Sequence, residues 1–179
     1  MDRVIGRDRL VGEDDVPNLP YLNAVVKEIM RIHPGAPIAY RISTQETTIA
    51  GYNIPANTTV AVNLYSTGRD PKYWVDPDTF RPERFFEESY ANLDVKGLHY
   101  QLIPFGSGRR ACPGFGFALQ VVPAGLAAQV QCFDWKIGEG TADENGRLNM
   151  EEGDGGLVSY RANPLVVVPI RRLDPFLLI

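Results

Sequence analysis

Cysteine and histidine are scarce: the 179 residues hold two of each, Cys112, Cys132, His33 and His99. Two cysteines so placed build no disulfide framework, and a reducing compartment suits the chain better. Neither histidine belongs to a motif linking it to Cys112, so a cysteine nucleophile lacks the base it would need. Positive charge is sparse as well. Lys and Arg number 18 against 22 acidic residues, the net charge is -4, and no run of Lys or Arg exceeds a pair. That balance argues against nucleic acid as a main partner. Asp2, Arg3, Arg7, Asp8 and Arg9 charge the start of the chain, so no signal peptide, targeting segment or membrane anchor is expected in it. One long uncharged run exists, residues 111–133. Pro113, Gly114, Pro123, Gly125 and three glutamines make it a poor membrane span, and its apolar character nearly all round predicts a buried core helix. What is abundant is ordinary: 44% hydrophobic residues, enough for a globular domain with a sizeable core.

The most informative stretch runs Phe105, Gly106, Ser107, Gly108, Arg109, Arg110, Ala111, Cys112, Pro113, Gly114. A cysteine acts as a metal ligand through its thiolate, and an unperturbed thiol with a pKa of about 8.5 is mostly protonated at neutral pH. Here Arg109 and Arg110 bring two fixed positive charges, and a helix predicted to start at Phe115 offers free N–H groups and the positive end of its dipole. Gly106, Gly108 and Gly114 let the backbone turn with positive φ or approach a flat ligand closely. The spacing of Phe105, Gly108, Arg110, Cys112 and Gly114 resembles the haem-ligand loop of the cytochrome P450 superfamily. That resemblance implies Cys112 as proximal thiolate and catalytic centre. It also implies Phe105 beside the ring, Arg110 on a haem propionate, and Gly108 and Gly114 in the haem-binding turn.

Upstream, Asn18 can cap a helix whose first turn holds Pro20. Leu22, Val25, Val26 and Ile29 follow the i, i+3, i+4, i+7 pattern, and Pro34 ends the helix by pushing His33 out of the helical region. Met1 to Leu10 reads as the end of an earlier helix, broken near Gly12. Glu28 and Arg31 are neighbours on one helix face beside the apolar stripe. They resemble the Glu-x-x-Arg signature of the same superfamily, and Pro82, Glu83, Arg84 and Phe85 resemble its Pro-Glu-Arg-Phe signature. The resemblance implies a structural network in which Arg84 joins Glu28 and Arg31, holding the ligand loop in register. Ile38 to Ile42 reads as a strand. By resemblance Arg41 reaches a propionate, while Ile38, Ala39 and Tyr40 are substrate contacts.

Short strands are predicted at residues 47–50, 52–54 and 58–64, and Asp70-Pro71 and Asp76-Pro77 are expected to open short helices. Phe115 to Gln131 is the long helix, with a kink or break at Pro123. A strand at residues 135–137 follows, then an acidic, glycine-rich loop. In that loop Asp143, Asn145 and Gly146 imitate a calcium loop with the glycine out of place. Residues 157–160 and 165–170 are expected to form a closing hairpin, and by resemblance its tip brings Val158 and Ser159 to the substrate.

The expected fold is mainly α with small β-sheets, an α+β chain forming one partial domain over residues 1–179. It resembles the C-terminal third of the cytochrome P450 fold. The resemblance is finest to plant microsomal members that modify flavonoid or triterpenoid skeletons. It implies haem b, electrons from NADPH through NADPH-cytochrome reductase, O2, a small hydrophobic substrate, and a parent protein on the cytosolic face of the endoplasmic reticulum. The implied reaction inserts one oxygen atom into a C–H bond or desaturates it. The alternative is a non-catalytic haem-binding or interaction fragment, because the superfamily's oxygen-activating helix has no match here.

Overall fold

The structure, a computed structural model, describes residues 1–142, 146–153 and 156–173. Among the described residues the fold is mixed: three α-helices, short 3-10 turns and three separate two-stranded antiparallel sheets.

After a single turn of helical hydrogen bonds over residues 1–6, in place of the expected helix end, Gly6 turns the chain with φ +79°. A 3-10 helix spans Glu13–Asn18, so Asn18 lies inside it and caps nothing. Helix α1 is Pro20–Ile32, opened by Pro20 and closed at His33 before Pro34, as the proline pattern predicts. Strand β1 (Ile38–Ile42) pairs with β4 (Thr59–Asn63), with Arg41 opposite Val60, and β2 (Thr47–Ile49) pairs with β3 (Tyr52–Ile54). Leu64 does not extend β4. It opens the four-residue helix α2 (Leu64–Thr67), where the Asn63 side chain accepts the Ser66 N–H and makes the helix cheaper than a longer strand. Asp70 and Asp76 start turns, not helices. The Asp70 carboxylate accepts the Lys72 N–H, and Asp76 adopts φ +47°.

Helix α3 (Phe115–Cys132) is unbroken across Pro123, whose ring is buried. The expectation of a helix buried all round is corrected: its buried residues, Pro123, Ala127, Gln131 and Cys132, form one stripe. Phe117, Val121, Val122 and Val130 are exposed. By length and composition alone the helix could cross a membrane. The stripe nevertheless packs on this chain, where the Gln131 amide accepts the Val11 N–H at 2.8 Å and donates to the Arg9 carbonyl at 2.9 Å.

Strand β5 (Phe133–Ile137) pairs with β6 (Val167–Arg171) across the whole acidic loop. The expected closing hairpin is therefore corrected: β6 takes β5 as its partner, and residues 157–160 form a turn and irregular chain, with the Gly153 N–H donating to the Tyr160 carbonyl. Asp143 and Asn145 lie outside the described residues.

The core is one cluster of Ala24, Trp74, Phe85, Tyr90, Leu93, Val95 and Leu102, with Met30, Phe105 and Leu119 packed on it. Trp74 is its centre, stacked on Tyr90 at 5.3 Å and edge-on to Phe85 at 6.3 Å. Ile5, Leu19 and Ala127 form a second, smaller cluster.

Candidate functional site

Two structures border this core: a buried charge network and a thiol-bearing cleft. The network begins on α1, where the i, i+3 spacing sets Glu28 and Arg31 on one face. Arg31 grips both carboxylate oxygens, Nε to Oε2 at 2.8 Å and Nη2 to Oε1 at 2.8 Å. Arg84, in the 3-10 turn Pro82–Phe86, donates from Nε to Glu28 Oε1 at 3.0 Å, and the Arg81 N–H reaches the same oxygen at 2.9 Å. Glu28, Arg31 and Arg84 are 0%, 1% and 0% exposed, a burial that charges tolerate only when fully partnered. The partners are present. Arg31 donates further to the Gly68, Pro77 and Thr79 carbonyls, and Arg84 to those of Val75, Asp76 and Thr79. Both guanidiniums also lie over the Trp74 ring. Burial pushes the Glu28 carboxyl up, but Arg31, the Arg81 N–H and Arg84 outweigh it and hold the group below the usual carboxylate range.

The second structure is the loop before α3. Gly106 and Gly108 take φ +74° and +71°, the left-handed conformation that favours glycine. The Cys112 N–H donates to the Phe105 carbonyl at 2.9 Å, closing the loop on itself. Gly114 has a negative φ, and a Cβ there would stand 3.9 Å from the Cys112 Sγ, an ordinary contact, so within this chain neither backbone nor space demands glycine there. The loop borders a cleft of about 510 Å³ whose walls are Met30, Gly35, Ala36, Ala39, Leu64, Pro104, Phe105, Ala118 and Val122. Cys112, Arg41 and Arg110 enter the same cleft. Cys112 is exposed and free, and Cys132 is buried at the end of α3. Among the described residues no group of three or more His, Cys, Asp or Glu comes together.

The cleft thus unites Phe105, Arg110 and Cys112 of the loop with Arg41 of distant β1, and β1 alternation explains which neighbours it excludes. Ala39 and Arg41 face it; Ile38 and Tyr40 are not among its walls. Val158 and Ser159 also lie outside it. Val158 is exposed, and the Ser159 N–H donates to the Gly35 carbonyl at 3.0 Å, beside a separate cavity that holds His33 and Glu152. Met30, Leu64, Ala118 and Val122 line the cleft without having been expected to. Met30 had a signal, being next to Arg31 on α1, whereas Leu64 had none once it was read as strand.

The protein-family model described as Cytochrome P450 matches residues 1–158. The chain belongs to the cytochrome P450 family. It is 51% identical over 176 residues to "Cytochrome P450 93A3" of Glycine max, covering 98% of this chain and 34% of that protein. It is 49% identical to the "3,9-dihydroxypterocarpan 6A-monooxygenase" of Glycine max over the same shares. Among solved structures, a zebra fish cytochrome P450 with abiraterone matches with a TM-score of 0.79 and 31% identity, covering 96% of this chain and 38% of that one. The chain therefore spans about a third of the length of these P450 relatives.

Proposed function

We propose that Cys112 is the proximal thiolate ligand of haem b and that this segment is the haem-holding part of a monooxygenase. One observation carries the reading: a single free thiol enters an apolar cleft together with two guanidiniums. That donor set fits a flat, largely apolar ring that carries its own metal ligands and two carboxylates. Cys112 would hold the metal, Arg41 and Arg110 the carboxylates, and Phe105 would pack at the ring edge. Gly108 would supply the turn and Gly114 the close approach. When bound, haem supplies the activation of O2 for insertion of one oxygen atom into a C–H bond, which a thiolate ligand favours by donating electron density. The chain's own tasks are narrower: the cleft offers one apolar wall to the ring, and the buried charge network fixes the segment over residues 68–84 on which Trp74 and the core rest.

The whole protein, in this reading, takes electrons from NADPH through NADPH-cytochrome reductase on the cytosolic face of the endoplasmic reticulum. Its substrate is a small hydrophobic plant secondary metabolite such as a flavonoid. The soybean relative named for a pterocarpan supports that class. The test is spectroscopic. With haem in excess, reduction and exposure to CO should give the far-red Soret band of thiolate ligation in the wild-type chain, and Cys112→Ser should lose it. Haem uptake without that band, or a band unchanged in Cys112→Ser, overturns the assignment.

A further inference from the structure

The charge network touches nothing in the ligand loop directly: its hydrogen bonds end on carbonyls of residues 68–79. The elements are joined by the stretch 87–97, which leaves the Arg84 turn and ends against the loop. Its first part is tied to the core. Tyr90 stacks on Trp74, the Val75 N–H donates to the Tyr90 hydroxyl at 3.2 Å, and Lys27 of α1 donates to the Leu93 carbonyl at 2.7 Å. Its far end meets the loop at two points. Ser107 Oγ donates to the Gly97 carbonyl at 2.6 Å. Gly97 itself takes φ +89°, and a Cβ on it would lie 2.8 Å from the Gly106 carbonyl and 3.2 Å from the Ser107 Cα.

We propose that Gly97 and Ser107 form a latch that positions the Cys112 loop, making both of them positioning residues for the thiolate. This rests on the reading of Cys112 as ligand. Two features set the latch apart from ordinary packing. Gly97 is constrained twice, by a left-handed φ and by a backbone contact that no side chain tolerates. Ser107 stands immediately before the 3-10 turn Gly108–Arg110, where serine usually caps the turn with its side chain. It makes no such cap, and its hydroxyl goes to the neighbouring stretch instead. Gly106 and Ser107 directly follow Phe105, whose carbonyl accepts the Cys112 N–H. A shift at the latch is thus passed to the thiol through one hydrogen bond.

The test uses amide hydrogen exchange on the haem-free chain, so it does not depend on the ligand assignment. In Ser107→Ala, exchange at Gly106, Ala111 and Cys112 is expected to accelerate roughly fivefold or more, while Ala24 and Trp74 exchange as in the wild type. Ser107→Thr, which keeps the hydroxyl, should restore loop protection. Gly97→Ala should loosen the same loop amides; if it fails to fold, the two Ser107 variants decide. Unchanged loop exchange in Ser107→Ala, equal loosening in Ser107→Thr, or loop and core loosening together in Ser107→Ala would each overturn the latch. A wild-type CO spectrum without thiolate character would refute Cys112 as ligand and leave these exchange rates standing.

Discussion

Glu28 shows how much a single buried group can carry. Its carboxylate neutralises one guanidinium fully and shares a second, so removing it leaves Arg31 and Arg84 as uncompensated charges at nearly zero exposure. Glu28→Ala and Arg84→Ala are each expected to cost about 3 to 5 kcal/mol in urea unfolding and to abolish haem incorporation. A variant that keeps full haem content would refute the structural role assigned to the network. The depressed Glu28 pKa fixes the sign of a pH effect. Its stabilisation is fully present above the ordinary carboxylate value near 4.5 and is lost as pH falls through the lower folded value. The stability gap between wild type and Glu28→Gln should therefore narrow below that value. Asp15, held down to about 2 by Arg9 and the Gly12 N–H, titrates in both proteins and cancels in the difference. Parallel loss in the two proteins would count against the assignment. The glutamate and its two arginines were legible in the sequence because motif spacing names them. The five carbonyls that complete the site, with Thr79 shared by both arginines, were not, since backbone carbonyl positions depend on how the loop 68–80 is traced in space.

At the scale of elements, the sequence spoke most clearly where proline governs. Pro20 and Pro34 bracket α1, because each restricts its neighbours whatever the tertiary context. Where partners are distant it misled. β6 pairs with β5 across residues 138–166, and nothing local distinguishes that partner from the nearer stretch 157–160. Helix α3 misled for another reason: an apolar composition all round marks what a helix can bury and leaves open which face it buries. The face it does bury is fixed by Gln131, which stitches α3 to the segment around Val11. Gln131→Leu keeps the volume but strands the Val11 N–H and the Arg9 carbonyl. It should lower stability by about 1 to 3 kcal/mol and speed exchange at the Val11 amide. A variant as stable as the wild type would show that apolar packing alone docks this segment.

At the scale of the whole chain, the core cluster around Trp74 and the charge network are closed, whereas the Cys112 cleft and the outer face of α3 are open. Cys112 and Arg110 are both exposed, and the cleft draws its walls from the end of α1, β1, the start of α2, the ligand loop and the first turns of α3. Phe117, 72% exposed, and Val121 continue the apolar surface outward along the helix. The relatives are about three times as long, and the described residues leave the cleft open to solvent at Cys112 and Arg110. Affinity for an apolar ligand scales with the surface it loses to water. The 179-residue chain should therefore bind haem weakly and yield it within minutes to an apo-globin in excess, while a chain extended to the length of its relatives should retain it. Stoichiometric haem carried by the 179-residue chain through gel filtration would show that the Cys112 loop, the two arginines and one apolar wall suffice.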